Sequence, residues 1–244
     1  MLASFSPETL VLGGAVALIA ALIRGITGFG GAMVMAPPLA LLLGPRIAVP
    51  VTLLLEGIAA MPMLLQTRDL VRWRALGPIL AAACVTVPIG AYVLVTADAL
   101  TLRRAIAATV IVFALLLLRG WRYSGPQRFG TSIGLGALSG AMTGAMSVGA
   151  PPVILYLLSG PDPIAVTRAN LTFYLVGSSI AALVVLWTRD VLDMHSAWSA
   201  LLLTPVYIGG LLAGVRLFAR FNDARFRQFT LMLLIAVSAG ILLV

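Results

Sequence analysis

The chain has 244 residues, of which 61% are hydrophobic and only 10% charged, and its mean hydropathy is +1.10. That balance excludes a water-soluble globule and calls for a polytopic, all-α membrane protein. The net charge of +8 comes from 16 basic residues, all of them arginine, against 8 acids. These arginines are scattered at the ends of apolar runs, where they orient helices and meet headgroups, so a nucleic-acid-binding surface is excluded as well. Cys84 is the single cysteine and lies in an apolar run, which leaves neither a disulfide framework nor a cysteine metal site. There is no nucleotide-binding motif, so ATP is not a direct driver, and no cofactor is expected.

Apolar runs cover residues 9–43, 47–65, 75–97, 105–118, 133–158, 164–187, 197–218 and 229–244. No basic region precedes the first run, so it is expected to remain as part of the protein and not to be removed as a signal peptide. As one helix this run would be about 50 Å long against a hydrocarbon core of about 30 Å. It is interrupted by Arg24-Gly-Ile-Thr-Gly-Phe-Gly-Gly31 and by Ala36-Pro37-Pro38. The 133–158 run is interrupted in the same way by Ser139-Gly-Ala-Met-Thr-Gly-Ala-Met-Ser-Val-Gly-Ala-Pro-Pro152. Glycine and proline weaken helices, and exposed backbone is costly in lipid. Such breaks therefore persist at membrane depth only where protein or a polar cavity covers them, and one broken segment per half is the sequence pointer to a transporter's binding site.

The two interruptions belong to a longer internal match. Ala36-Pro37-Pro38 answers to Ala150-Pro151-Pro152, Gly30 to Gly144, Gly44-Pro45 to Gly160-Pro161, Ile47-Ala48-Val49 to Ile164-Ala165-Val166, and Thr67-Arg68-Asp69 to Thr188-Arg189-Asp190. The shared order predicts a duplication, with repeats over 1–124 and 125–244. If each broken run enters and returns as a hairpin, and three spanning helices follow, then Arg46, Arg103, Arg104 and Arg189 stand opposite the other twelve arginines. The positive-inside rule puts the larger set, which includes Arg122 and Arg220, in the cytoplasm. Each half then changes side an odd number of times, so the repeats are inverted and both termini are predicted to be non-cytoplasmic.

The glycine-rich first segment running into proline, the Thr-Arg-Asp turn, Pro88-Ile-Gly-Ala91 with its partner Gly209-Gly210, and the duplication over nearly the whole chain resemble the TauE/SafE sulfite exporter family. The resemblance implies a bacterial cytoplasmic-membrane transporter of small anions, notably sulfite and organosulfonates. The second break departs from a plain glycine-rich pattern, because Met142, Ala145 and Met146 occupy it.

Where a helix breaks in the membrane, the N-terminus of its second piece offers free N–H groups and a dipole that attract anions. Thr27, Gly28, Gly30 and Gly31 in the first break, and Thr143, Gly144, Ser147 and Gly149 in the second, are the candidate anion-binding residues; the competing reading is helix packing through small residues. Arg24, Arg168 and Asn170 are added as donors, since a guanidinium fork suits oxyanions, although either arginine could instead snorkel to headgroups. Glu56 falls near the bilayer middle, where a carboxylate must be protonated, paired or hydrated, which makes it the candidate for proton coupling. Its repeat partner is Phe173. His195 reads as a solvated loop residue. An intramembrane enzyme built on Ser139 and His195 lacks a second acid or a metal cluster and puts the two on different segments. A passive channel would use the same donors without a two-state cycle.

Overall fold

The computed structural model describes residues 7–28, 30–121, 123–125, 128–218 and 223–243; Arg122 and Arg220, counted above, lie outside them. All regular structure among the described residues is helical: α1 (Pro7–Thr27), α2 (Gly31–Leu43), α3 (Pro45–Thr67) with a 3-10 turn at Arg68–Leu70, α4 (Trp73–Thr96), α5 (Ala99–Leu118), α6 (Phe129–Met146), α7 (Ala150–Leu157), α8 (Ile164–Thr188), α9 (Met194–Phe218) and α10 (Asp223–Leu242). Six helical stretches there are long and apolar enough to cross a membrane: Glu8–Thr27, Pro45–Leu70, Trp73–Thr96, Ala99–Leu118, Ile164–Thr188 and Met194–Leu217. The protein is thus a multi-pass membrane protein. It differs from the expected set at both ends, since α1 is long enough to cross by itself whereas the apolar part of α10, Thr230–Leu242, is shorter.

Both long interrupted runs break where glycine or a positive φ allows it, whereas Pro37 and Pro38, expected to interrupt the first run a second time, lie inside the continuous helix α2. Gly28 and Gly30 have φ of 80° and 89°, a left-handed backbone that costs a residue with a Cβ about 1–2 kcal/mol. The second break uses Ser147 at φ 57°. At each break the chain turns back. A Cβ on Gly13, early in α1, would lie 4.0 Å from Leu39, late in α2, and Ser132 of α6 shares a 2.8 Å hydroxyl contact with Tyr156 of α7. Had α2 continued along the axis of α1, Gly13 and Leu39 would be more than about 30 Å apart. The α1–α2 and α6–α7 pairs are therefore hairpins.

Two glycine seams join them to the rest. A Cβ on Gly136, Gly140 or Gly144 of α6 would strike the backbone of Ile79, Ala83 or Val87 of α4 in turn. Both sets advance by four residues in the same direction, so α4 and α6 run parallel with their backbones in close approach, the small-residue packing favoured in lipid. The same holds for Gly210 and Gly214 of α9 against Leu18 and Leu22 of α1. The first helix of each half thus packs on a late helix of the other.

Polar contacts gather the helix ends into two groups. At one end, Arg72 pairs with Asp162, the Arg72 N–H donates to Asn170 Oδ1 at 2.9 Å, and the Tyr123 N–H donates to Ser159 at 2.8 Å. At the other, Arg46 donates to the Val95 carbonyl at 2.5 Å and Arg103 Nε to the Ala40 carbonyl at 3.0 Å. Two expectations are corrected. The 105–118 run understates its helix, because Asp98 caps α5 by accepting the Thr101 N–H at 2.8 Å and carries Arg103 and Arg104 into its first turns. His195 is exposed, but it sits in the first turn of α9, where Asp193 accepts the Ser196 N–H at 2.8 Å; it is not in a loop.

Candidate functional site

The first hairpin tip brings together residues from four helices. Arg24 lies one turn before the end of α1, and its guanidinium Nη1 pairs with Glu56 Oε2 of α3. Tyr207, midway along α9, donates its hydroxyl to the other carboxylate oxygen, Oε1, at 2.5 Å. The three residues are 6%, 4% and 1% exposed, so the locus is closed to solvent. A buried Arg–carboxylate pair is tolerated only when its remaining polar atoms are satisfied, and Tyr207 fills that role for Glu56. Gly31, the first residue of α2, completes the arrangement: a Cβ there would collide with Glu56 Oε1 and the Tyr207 hydroxyl and crowd Arg24 Cδ at 3.2 Å. The glycine is what lets the N-terminus of α2 approach the charged groups. Arg24 therefore does not snorkel, and Glu56 is paired with a cation.

Around this core, Thr27 donates to the Ile23 carbonyl at 2.8 Å, Gly28 is exposed, and Gly30 is the left-handed N-cap of α2. Gly30 accepts the Val34 N–H at 3.1 Å. Gly30 has no side chain with which to cap α2.

The second tip is built from neutral groups. Ser139 of α6 shares a 2.5 Å contact with the Tyr174 hydroxyl of α8 and donates to the Gly149 carbonyl, while Thr143 donates to the Ser139 carbonyl at 2.8 Å. Ser147 is buried and bonds the Met146 carbonyl at 2.5 Å. Gly149 abuts Thr143 and the Ser139 carbonyl, leaving no room for a Cβ. Gly144 faces away from the tip into the α4 seam. Val148 shares an apolar cluster with Met33 and Met35 of α2, so the two hairpins meet in one core.

Arg168 and Asn170 are not brought to either tip. Arg168 is exposed near the start of α8. Asn170 is wholly buried and fastens the start of α4 through the Arg72 N–H, with its Nδ2 left without a partner. A cavity of about 290 Å³ lies at neither tip but at the Arg46 end, between Leu43, Gly44, Arg46, Asp98 and Leu102. The hydrogen bonds from Thr101 hold the exposed Asp98 carboxyl there below the usual carboxylate range. Tyr207 and Tyr174 are the residues that sequence reading missed. Their signal was a lone phenol deep in the 197–218 and 164–187 runs, where a hydroxyl needs a partner.

The family model for sulfite exporter TauE/SafE matches residues 13–241, which takes in both hairpins and both seams. The chain belongs to the TauE/SafE sulfite exporter family. No curated protein and no solved structure matches it. As a TauE/SafE member with six candidate spans, it is a multi-pass protein of a transporter family. No group of three or more metal-ligating side chains occurs among the described residues.

Proposed function

We propose that the protein is a secondary transporter that moves small anions, namely sulfite, sulfonates or related sulfur oxyanions, across the bacterial cytoplasmic membrane by alternating access. The observation that carries this reading is the buried Arg24 at a hairpin tip, aligned with the N-terminus of α2. A guanidinium fork and a helix N-terminus converging inside the membrane select negative charge and planar arrays of oxygens. Gly31 keeps that approach open, and Thr27, Gly28 and Gly30 line the way to it. The second tip supplies hydroxyl donors from Ser139, Thr143 and Ser147, so anion handling is unequal between the two.

Alternating access follows from the halves 1–124 and 125–244 acting as inverted repeats. In support, both halves contain a hairpin, and α1 on α9 mirrors α6 on α4. Movement of one half against the other would slide the glycine seams and open the tips to each side in turn. The closed state of the Arg24 locus favours such gating over a continuously open channel. With the buried Arg24 left out, this topology assigns eleven arginines to the side of Arg72 and four to the other, which puts the Arg72 side in the cytoplasm and both termini outside. Flux of a panel of sulfur oxyanions in proteoliposomes, with and without an imposed pH gradient, tests the assignment. Saturable, substrate-selective flux supports it; flux that rises linearly with concentration supports a channel.

A further inference from the structure

The Arg24 locus already holds an anion, and that anion is part of the protein. Glu56 presents one carboxylate oxygen to Arg24 and the other to Tyr207, with the glycine backbone of Gly31 against the same oxygen. An incoming oxyanion would need the same three donors: the guanidinium, the phenol hydroxyl and the start of α2. We propose that Glu56 is a built-in substitute for the transported anion, displaced from Arg24 when that anion binds and carrying a proton while displaced. This rests on the Arg24 locus being the anion site.

The charges balance in only one way that lipid tolerates. In the resting state the locus is neutral, one guanidinium against one carboxylate. When a monovalent oxyanion takes over Arg24, an ionised Glu56 would remain beside it as a second negative charge without a cation, in a place closed to solvent. A proton from the side on which the anion entered bonds to Oε2, the oxygen that Arg24 has released. Anion and proton thus enter together, and the charge of the locus is unchanged. On release to the other side the proton leaves, and Glu56 returns to Arg24.

Other charges cannot substitute for the proton. Among the described contacts of Glu56, α1 contributes Arg24, α9 contributes Tyr207 and α2 contributes glycine backbone. Arg168 of α8 is exposed, Arg46 on α3 is ten residues away, about 15 Å along the helix, and Arg103 of α5 is engaged with the Ala40 carbonyl. Arg74, at the start of α4, is exposed as well.

The test uses methanesulfonate and ethanesulfonate, both monovalent anions whose own charge is constant around neutral pH. Each is titrated onto the purified full-length protein in weakly buffered detergent solution, with the proton count read from a pH indicator. The expected result is uptake of about one proton per anion bound, with affinity falling about tenfold per pH unit on the alkaline side. Glu56→Gln, which leaves no carboxylate to displace, is expected to bind at least about tenfold more tightly at alkaline pH, without proton uptake. Binding by the wild-type protein with no proton taken up overturns the proposal while leaving the anion site standing. A folded Glu56→Gln protein that binds more weakly than wild type also overturns it. If Glu56→Gln does not fold, the wild-type proton count alone decides. If neither probe binds, the anion-site reading itself fails and this inference fails with it.

Discussion

Removing either partner of the Arg24–Glu56 pair strands a charge in a place without water. The two side chains are 7% and 5% exposed, so solvent screening gives no relief. Arg24→Gln leaves Glu56 with the Tyr207 hydroxyl alone, and Glu56→Gln leaves the guanidinium without its carboxylate. Breaking a buried pair from one side typically costs about 3–5 kcal/mol, whereas replacing both members with neutral groups is often close to neutral. The double variant should therefore be more stable than the sum of the singles by at least about 2 kcal/mol. Purified variants in the same detergent, unfolded by heat and by denaturant, give the cycle. Purely additive losses would refute the argument, because they would mean that the two charges do not interact in the folded protein. Anion transport separates stability from function: Arg24→Gln and the double variant should both be inactive, although the double variant regains stability.

Other changes follow from the same contacts. Gly140→Ala should destabilise by about 1–3 kcal/mol because its Cβ meets the Ala83 backbone, whereas Gly134→Ala, which has open space around it, should be neutral in the same thermal assay. Arg72→Ala should cost at most about 1 kcal/mol, since Arg72 is 58% exposed and its pair with Asp162 is screened; a loss as large as that at Arg24 would show that this contact is buried in the membrane-embedded protein. A reporter that fluoresces only in the cytoplasm should be bright when inserted at Gly125 and dark when fused after Val244, and a bright fusion at Val244 would rule out the inverted arrangement. Gly30→Leu should weaken transport, because φ of 89° disfavours any side chain at the cap of α2; normal flux in this variant would place the anion path elsewhere.

The membrane environment and the two breaks were legible in the sequence through its apolar composition and its glycine clusters, whereas proline marked no break by itself, since Pro37 and Pro38 lie inside α2. Hairpins were inferred from arginine distribution, and the closeness of Gly13 to Leu39 and the hydroxyl contact of Ser132 with Tyr156 give them a physical basis. The pairing of Arg24 with Glu56 was not legible. Each was recognised as an anomalous charge, yet 32 positions of chain separate them, and only the return of α2 and the entry of α3 bring them together. Tyr207 was further still, 151 positions along the chain from Glu56. Gly144 shows the opposite limit: its place in the repeat suggested a site, but a glycine in a seam and a glycine at a tip look the same until the neighbouring helix is known. Arg168 and Asn170 were adjacent enough in sequence to suggest a shared role, whereas on α8 one is exposed to the surroundings and the other is buried against α4.

The central claim is alternating access of an anion to Arg24, and counterflow tests it most directly. Proteoliposomes loaded with unlabelled sulfite and diluted into a trace of labelled sulfite should transiently accumulate label above its outside concentration, because one site exposed to each side in turn exchanges faster than it empties. The account predicts this overshoot for the wild-type protein and its absence in Arg24→Gln. Label that only equilibrates, or an overshoot that survives in Arg24→Gln, would contradict it.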